Sequence, residues 1–347
     1  MQDVATRADV SIGTVSRVFH GDPSVSASLS SRVTKIAQEL GYRRLRRERG
    51  ATSSHPLRGK TIGVMLLGMG PSLAASPLVG MALDGIRREL SGEEALLQIL
   101  DIPDPTKPNA TLDRSKVDAW LVKGSNVGNI WKESRPSLRK RLSERPTVWF
   151  HGQPEGACGA YVGADETGVG ALAARSLADH GHTHVAFLTT RRDQRLLLAR
   201  EKGFHAECDR LGLTCSVMAA SVDEFSFPLE KPNDEKQMLN LLRRLLKRRN
   251  RPTAVFVPAD SFALLLYRAM HQCGLRPGKD LSIISANGEW PLIVGLSPTL
   301  ATIDIQSEGI GRRVVQRLAS CFHTMDASPT PELLKPTLHM GESLQSA

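Results

Sequence analysis

The chain has 347 residues, enough for two or three domains, and with 41% hydrophobic and 23% charged residues it sits close to globular averages rather than to disorder. Its longest glycine-punctuated apolar run, 62–70, is far shorter than the roughly 20 residues a membrane span needs, and the opening Gln2-Asp3-Val4 lacks a basic-then-apolar leader, so a cytoplasmic location with no membrane partner is expected. The net charge of +9 is unevenly placed: the first 60 residues hold eleven Lys/Arg against five Asp/Glu, the pattern of a small module facing a polyanion and joined to a near-neutral body.

At the N-terminus, Val4, Ala5 and Ala8 have the spacing of a short helix, which Val10-Ser11 breaks. Ser11 can cap a second helix, carrying Val15 and Val18, by accepting the N–H of Gly13 or Thr14. The tight turn between them puts Asp9 at positive φ. A third helix, capped by Ser26 or Ser28, carries Leu29, Val33, Ile36, Ala37 and Leu40 before Gly41. Three helices around so few apolar residues fit a helix-turn-helix, whose second helix enters the major groove.

The run Asp3-Val4-Ala5, Ala8-Asp9-Val10-Ser11-Ile12-Gly13-Thr14-Val15-Ser16-Arg17-Val18, then Val25-Ser26 and Glu39-Leu40-Gly41-Tyr42, resembles the signature of the lac-repressor (LacI/GalR) family. The resemblance implies that Ile12, Gly13 and Arg17 face base edges while Ser11, Thr14, Ser16 and His20 face phosphates. Arg17 can donate two hydrogen bonds to guanine O6 and N7, Ile12 can touch only a thymine methyl and Gly13 reads nothing, so discrimination should lean on Arg17. Members usually carry a few more residues before the position of Gln2, and after Tyr42 a Pro-Asn pair and a hinge helix ending in a Leu that wedges into the minor groove. Here Arg44, Leu45 and Ala51 hold those places. The basic run 43–49, with Arg43, Arg46 and Arg47, suits phosphate attraction instead, or a basic linker running through Ala51 to Pro56 that is disordered without DNA.

From Lys60 onward apolar runs alternate with helical patterns: strands over 61–67, 95–102, 117–122, 147–151, 184–189, 254–258 and 281–286, and helices over 78–90, 169–180, 199–211 and 261–273. Such alternation implies parallel sheets with helices on both faces, with ligands bound beyond the carboxyl ends of the strands. Residues 61–347 resemble the family's effector domain, a periplasmic sugar-binding-protein fold. The expected architecture is therefore an all-α helix-turn-helix module (1–42), a basic hinge (43–60) and an α/β domain of two doubly wound lobes. The chain is expected to cross between lobes near Gly163, Pro291 and Phe322, which gives a first lobe of 61–163 and 291–322 and a second of 164–290 and 323–347.

Strand-end loops offer Ser72, Ser76, His151, Arg200, Asn287 and Trp290 as effector contacts. Matched to the family pattern, His151, Arg200 and Asn287 occupy effector-contacting places. The planar fork of Arg200 can hold two hydroxyls or one carboxylate, and Trp290 or Phe225 could lie against a sugar face. Plainer roles stand beside these: Arg200 as a surface ion pair with Glu201 or Asp165, His151 as a satisfied core histidine, Trp290 as core packing. An Asn common in the family is Ala259 here and a common Asp is Asn287, so the ligand can depart from neutral sugars. Arg191, Arg192 and Arg195 would welcome a sugar acid or sugar phosphate, or form a solvated loop. The basic run 243–251, alternating with leucines, reads as an amphipathic helix with a solvated face.

The five cysteines, Cys158, Cys208, Cys215, Cys273 and Cys321, show neither a disulfide framework nor a zinc knuckle, and no cofactor is expected. No Walker loop, HExxH or GxSxG occurs and the acidic residues suggest no carboxylate pair, so an enzyme is not expected. A transport receptor of the same lobe fold would lack a use for the helix-turn-helix. The expectation is a nucleoid-associated homodimeric repressor of carbohydrate-utilisation genes, binding a near-palindromic double-stranded operator and a small effector that is a sugar, sugar acid or sugar phosphate.

Overall fold

A computed structural model describes residues 2–20, 25–39, 55–69, 76–220, 235–323 and 330–347. The chain divides into two units, 1–54 and 55–347.

In the first unit α1 (Gln2–Ala8), α2 (Ile12–His20) and α3 (Ala27–Glu39) enclose a small core of Val4, Ala5, Ala8, Val15, Val18, Val33 and Ala37. Asp9 takes φ 51°, and Val10 N–H reaches back to Ala5 O at 3.0 Å, closing the turn. Ser11 Oγ accepts from Thr14 N–H at 3.0 Å and Ser26 Oγ from Leu29 N–H at 3.4 Å, each satisfying a backbone donor at a helix start. Arg32 ties α3 to α1 through the carbonyl of Ala8, at 3.2 Å. Leu40 and Gly41 lie outside the described residues, as do Arg43, Arg46, Arg47, Ala51 and the rest of 40–54.

The second unit begins at His55, not Lys60. Leu57 is fully buried in the main core and His55 Nδ1 lies 3.0 Å from Glu93, so the last residues assigned to the linker belong to the body. In chain order follow β1 (Thr61–Leu67), α4 (Pro77–Leu90), β2 (Leu96–Ile102), α5 (Ala110–Arg114), β3 (Ala119–Gly124), α6 (Ile130–Glu133), α7 (Pro136–Ser143), β4 (Thr147–Phe150), β5 (Ala160–Ala164) and α8 (Glu166–Asp179). Then come β6 (His184–Thr189), α9 (Arg195–Leu211), β7 (Thr214–Ala219), α10 (Glu235–Leu246), β8 (Ala254–Phe256), α11 (Asp260–Gln272), β9 (Ser282–Asn287), α12 (Trp290–Ile293), β10 (Ala301–Asp304), α13 (Ser307–His323), β11 (Glu332–Leu334) and β12 (Thr337–His339).

The strands form two sheets, ordered β2-β1-β3-β4-β5-β11 and β7-β6-β8-β9-β10-β12, parallel throughout except that β12 runs antiparallel to β10. Each order reverses at its first strand, between β1 and β3 in one lobe and between β6 and β8 in the other. Such a switch point leaves a crevice beyond the strands' carboxyl ends. No helix among the described residues is long and apolar enough to cross a membrane.

Two of the three expected lobe crossings move. The first lies between β5 and α8. The second is not at Pro291: β10 pairs with β9, which keeps 291–304 in the second lobe, and the chain crosses at Ile305-Gln306, where Gln306 takes φ 58°. The third is not at Phe322 either, because β11 pairs with β5 and the chain returns only between Leu334 and Thr337. Strands of three or four residues carry no readable alternation, so their partners, decided by packing, could not be assigned from the sequence.

Candidate functional site

The second helix of the first unit turns Val15 and Val18 inward and leaves Ser11, Ile12, Gly13 and Arg17 exposed, with Thr14 half-buried. Ile12 keeps 46% of its surface open, unusual for a large apolar residue on so small a module and suited to a thymine methyl. The side chains of Ser16 and His20 lie outside the described residues, although their helix positions do not.

In the second unit the two crevices face one another across a cleft of about 440 Å³, at the small end of the roughly 300–1,000 Å³ typical of ligand sites. The ends of β1, β3 and β4 contribute Met69, Lys123 and His151, with Ser76 and Leu78 at the start of α4; the opposite wall carries Arg191, Arg200, Phe262, Asn287 and Glu289. Hydrogen bonds cross the cleft. Arg195 N–H donates to Asn126 O at 3.1 Å, Arg195 Nη1 to Gln153 O at 3.0 Å, and Val127 forms a β-bridge with Gln194. The lobes are therefore described in a closed arrangement.

Arg200 is no surface ion pair. It is 2% exposed; its Nε donates to Glu166 Oε2 at 2.6 Å and its Nη1 to Asn287 Oδ1 at 2.9 Å and to the carbonyl of Pro258. Asn287 turns its amide to Glu289 Oε2 at 2.9 Å, so one side chain links a cation to an acid. Glu201, the partner considered from the sequence, binds Arg192 instead. Arg191 lines the cleft and pairs with Asp193. Below them Asp260 accepts from Thr302 Oγ1 and from Glu289 N–H, both at 2.7 Å. Burial pushes the carboxyls of Asp260 and Glu289 upward.

His151, at φ 49°, and Asn287, at φ 119°, are non-glycine residues held in conformations L side chains rarely adopt, and both lie in the cleft. Ser307 Oγ donates to Leu78 O at 2.6 Å, so its oxygen accepts from His151 Nε2 at 2.7 Å, leaving Nδ1 as a bare acceptor. Burial, with the charges of Lys123 and Arg200, pushes the imidazole down to about 3, so it is neutral. Among the described residues Nδ1 is buried without a partner, as are Glu166 Oε1 and Asn126 Oδ1. Buried acceptors left bare cost roughly 1–3 kcal/mol each, which a ligand donating O–H groups would recover.

Of the expected effector residues, Ser76, His151, Arg200 and Asn287 come together in the cleft, while Ser72 and Phe225 lie outside the described residues. Trp290 does not line it. It is 39% exposed, with its ring edge-to-face against His339 of β12 at 4.8 Å. The apolar cleft surface comes from Leu78, Val79, Leu197 and Phe262. Lys123, Asn126 and Glu166 were missed. For Lys123 a signal existed, a lone cation at the end of the apolar strand Ala119–Gly124. The 191–195 arginines are cleft residue, ion pair and lobe clasp rather than one solvated loop.

The family profile described as "Bacterial regulatory proteins, lacI family" matches residues 1–44 and that described as "Periplasmic binding protein-like domain" matches 174–344. The ribose operon repressor of Escherichia coli (strain K12) is 25% identical over 324 residues, covering 92% of this chain and 91% of that protein. A LacI family transcriptional regulator from Enterococcus faecium with bound ribose superposes with a TM-score of 0.65 at 20% identity, over 83% of this chain and 100% of that one. The lac repressor dimer bound to operator and the anti-inducer ONPF superposes with a TM-score of 0.63 at 20% identity, over 99% and 98%. With a helix-turn-helix carrying the signature Asp3 to Val18 and a two-lobed α/β body, the chain joins the DNA-binding domain of the lacI family of bacterial regulatory proteins to a periplasmic binding protein-like domain.

Proposed function

We propose that the protein is a sequence-specific transcriptional regulator, a repressor of carbohydrate-utilisation genes, whose affinity for an operator is set by a polyhydroxylated effector held between the lobes. It acts as a homodimer on a near-palindromic site, with Arg17 and Ile12 of each α2 reading bases and Ser11, Thr14, Ser16, His20 and the arginines of 43–49 holding phosphates. The observation that carries the effector half is the trio of buried bare acceptors, His151 Nδ1, Glu166 Oε1 and Asn126 Oδ1, in a closed cleft with an aromatic residue, Phe262. Three acceptors ask for three donors, and a ring bearing hydroxyl groups supplies them while its C–H face lies on apolar side chains.

Because the cleft walls belong to different lobes, a ligand that binds the closed form better shifts the population toward it and so alters how two DNA-binding modules are presented. The role is regulatory, as for the family, and the site of action is the nucleoid. The test begins with the full-length protein and a selection of bound sequences from random DNA, followed by titration of the complex with a panel of sugars. A defined palindromic site and a change of its affinity with one class of sugar are expected. Absence of any preferred sequence would defeat the regulator reading, and an operator insensitive to every polyol would defeat the effector.

A further inference from the structure

Among the described residues, the charges lining the cleft are matched except one. Arg200 is paired with Glu166 and Arg191 with Asp193, while Glu289 is held by the amide of Asn287 and by the N–H of Leu78. Lys123 is 5% exposed and makes one hydrogen bond, to the carbonyl of Gly124, with no carboxylate within ion-pair distance among the described residues. Glu166 acts on it through space, but that carboxylate is committed to Arg200, and Arg195 opposes it. A buried ammonium without a counter-ion is costly unless the counter-ion arrives with a ligand.

Resting on the proposed effector cleft, we infer that the effector carries one carboxylate, as an aldonic or uronic acid does, and that Lys123 is its counter-ion while the bare acceptors of His151, Glu166 and Asn126 take its hydroxyl groups. A single unmatched cation calls for a single negative charge, which a carboxylate supplies and a phosphate dianion exceeds. The neutral histidine adds no second positive charge, and Arg200 and Arg191 on the opposite wall are already held by Glu166 and Asp193. The acid is thereby oriented: carboxylate at the β3 end, hydroxyls toward α8 and the loop after β4. Burial also draws the ammonium down to about 7, the cost of an unpartnered cation that an anionic ligand would reverse.

The test is calorimetric titration of the full chain with matched pairs, ribose with ribonate, glucose with gluconate and glucuronate, and with ribose 5-phosphate. The wild type should prefer at least one acid over its neutral parent. Lys123→Met should cut that preference on the order of 100-fold, as expected for deleting one partner of a buried charge pair, and Lys123→Arg should restore part of it. Lys202→Met, exposed on α9, is the charge control and should keep the preference. Neutral sugars bound as tightly as acids, or ribose 5-phosphate bound more tightly than any carboxylate, would overturn the inference while leaving a sugar-responsive regulator in place. Loss of acid and neutral binding by equal factors in a folded Lys123→Met protein would do the same. Failure of every compound to bind would overturn both.

Discussion

Lys123 illustrates how a site residue is priced by its surroundings. Burial is the main cause of its lowered pKa, so between about pH 7 and 10 the unfolded chain binds a proton the folded one does not, and this residue's contribution to stability rises with pH across that window. Below about pH 7 both states are protonated and the penalty is complete. Urea unfolding of wild type and Lys123→Met should therefore differ by roughly a few kcal/mol near pH 7, the variant being the more stable, and converge toward pH 10. A constant difference would mean that the ammonium is matched. Arg200 presents the reverse case. Arg200→Ala strands Glu166, 6% exposed, without its cation and should cost about 3–5 kcal/mol of unfolding free energy along with the effector response. Denaturation at equal pH measures the first and operator titration with sugar the second. At the DNA face, Arg17→Ala should weaken specific binding by about 1–3 kcal/mol and relax one base pair per half-site, read by repeating the selection from random DNA.

Among elements, α4 and α13 pack closely enough for their backbones to touch. A Cβ on Gly311 would sit 2.0 Å from Ala82 O, and one on Gly85 2.1 Å from Glu308 O, so each helix offers a glycine to the other's main chain. Neither contact can yield by a rotamer change. Gly311→Ala should then cost about 1–3 kcal/mol, the range for overpacking, and lower the urea midpoint. The effect matters to the site because α4 presents Leu78, Val79 and Ser76 to the cleft, and α13 presents Ser307, which fixes the tautomer of His151. A displaced α13 would free His151 and weaken effector binding as well as stability.

For the whole molecule, coupling between effector and operator is a single free energy. If an effector changes operator affinity by some factor, saturating operator must change effector affinity by the same factor, typically 5- to 150-fold. Measuring both binding isotherms on one preparation checks this, and unequal factors would show that the two ligands do not share one two-state equilibrium. The contacts of Arg195 with Asn126 and Gln153 and the Val127–Gln194 bridge join one lobe to the other, so they form only when the cleft is closed.

The sequence alone determined the elements whose signals are local. The Asp9 turn, the Ser11 and Ser26 caps, the strand over 61–67 and the strand-helix alternation that implies parallel sheets could all be read, because capping, steric limits on φ and hydrophobic periodicity act within a few residues. His151, Arg200 and Asn287 were placed through resemblance to a family, and the structure brings them to one cleft. What the tertiary structure decided depends on residues far apart in the chain. The partner of Arg200 is Glu166 and not its neighbour Glu201; Trp290 faces His339 and not a ligand; β10 and β11 join sheets that their three or four residues could not announce. The unmatched charge of Lys123 belongs to the same class. A lysine is written in the sequence, but its burial with no carboxylate within ion-pair distance among the described residues shows only in the fold, because electrostatic compensation is a property of space and burial rather than of order along the chain.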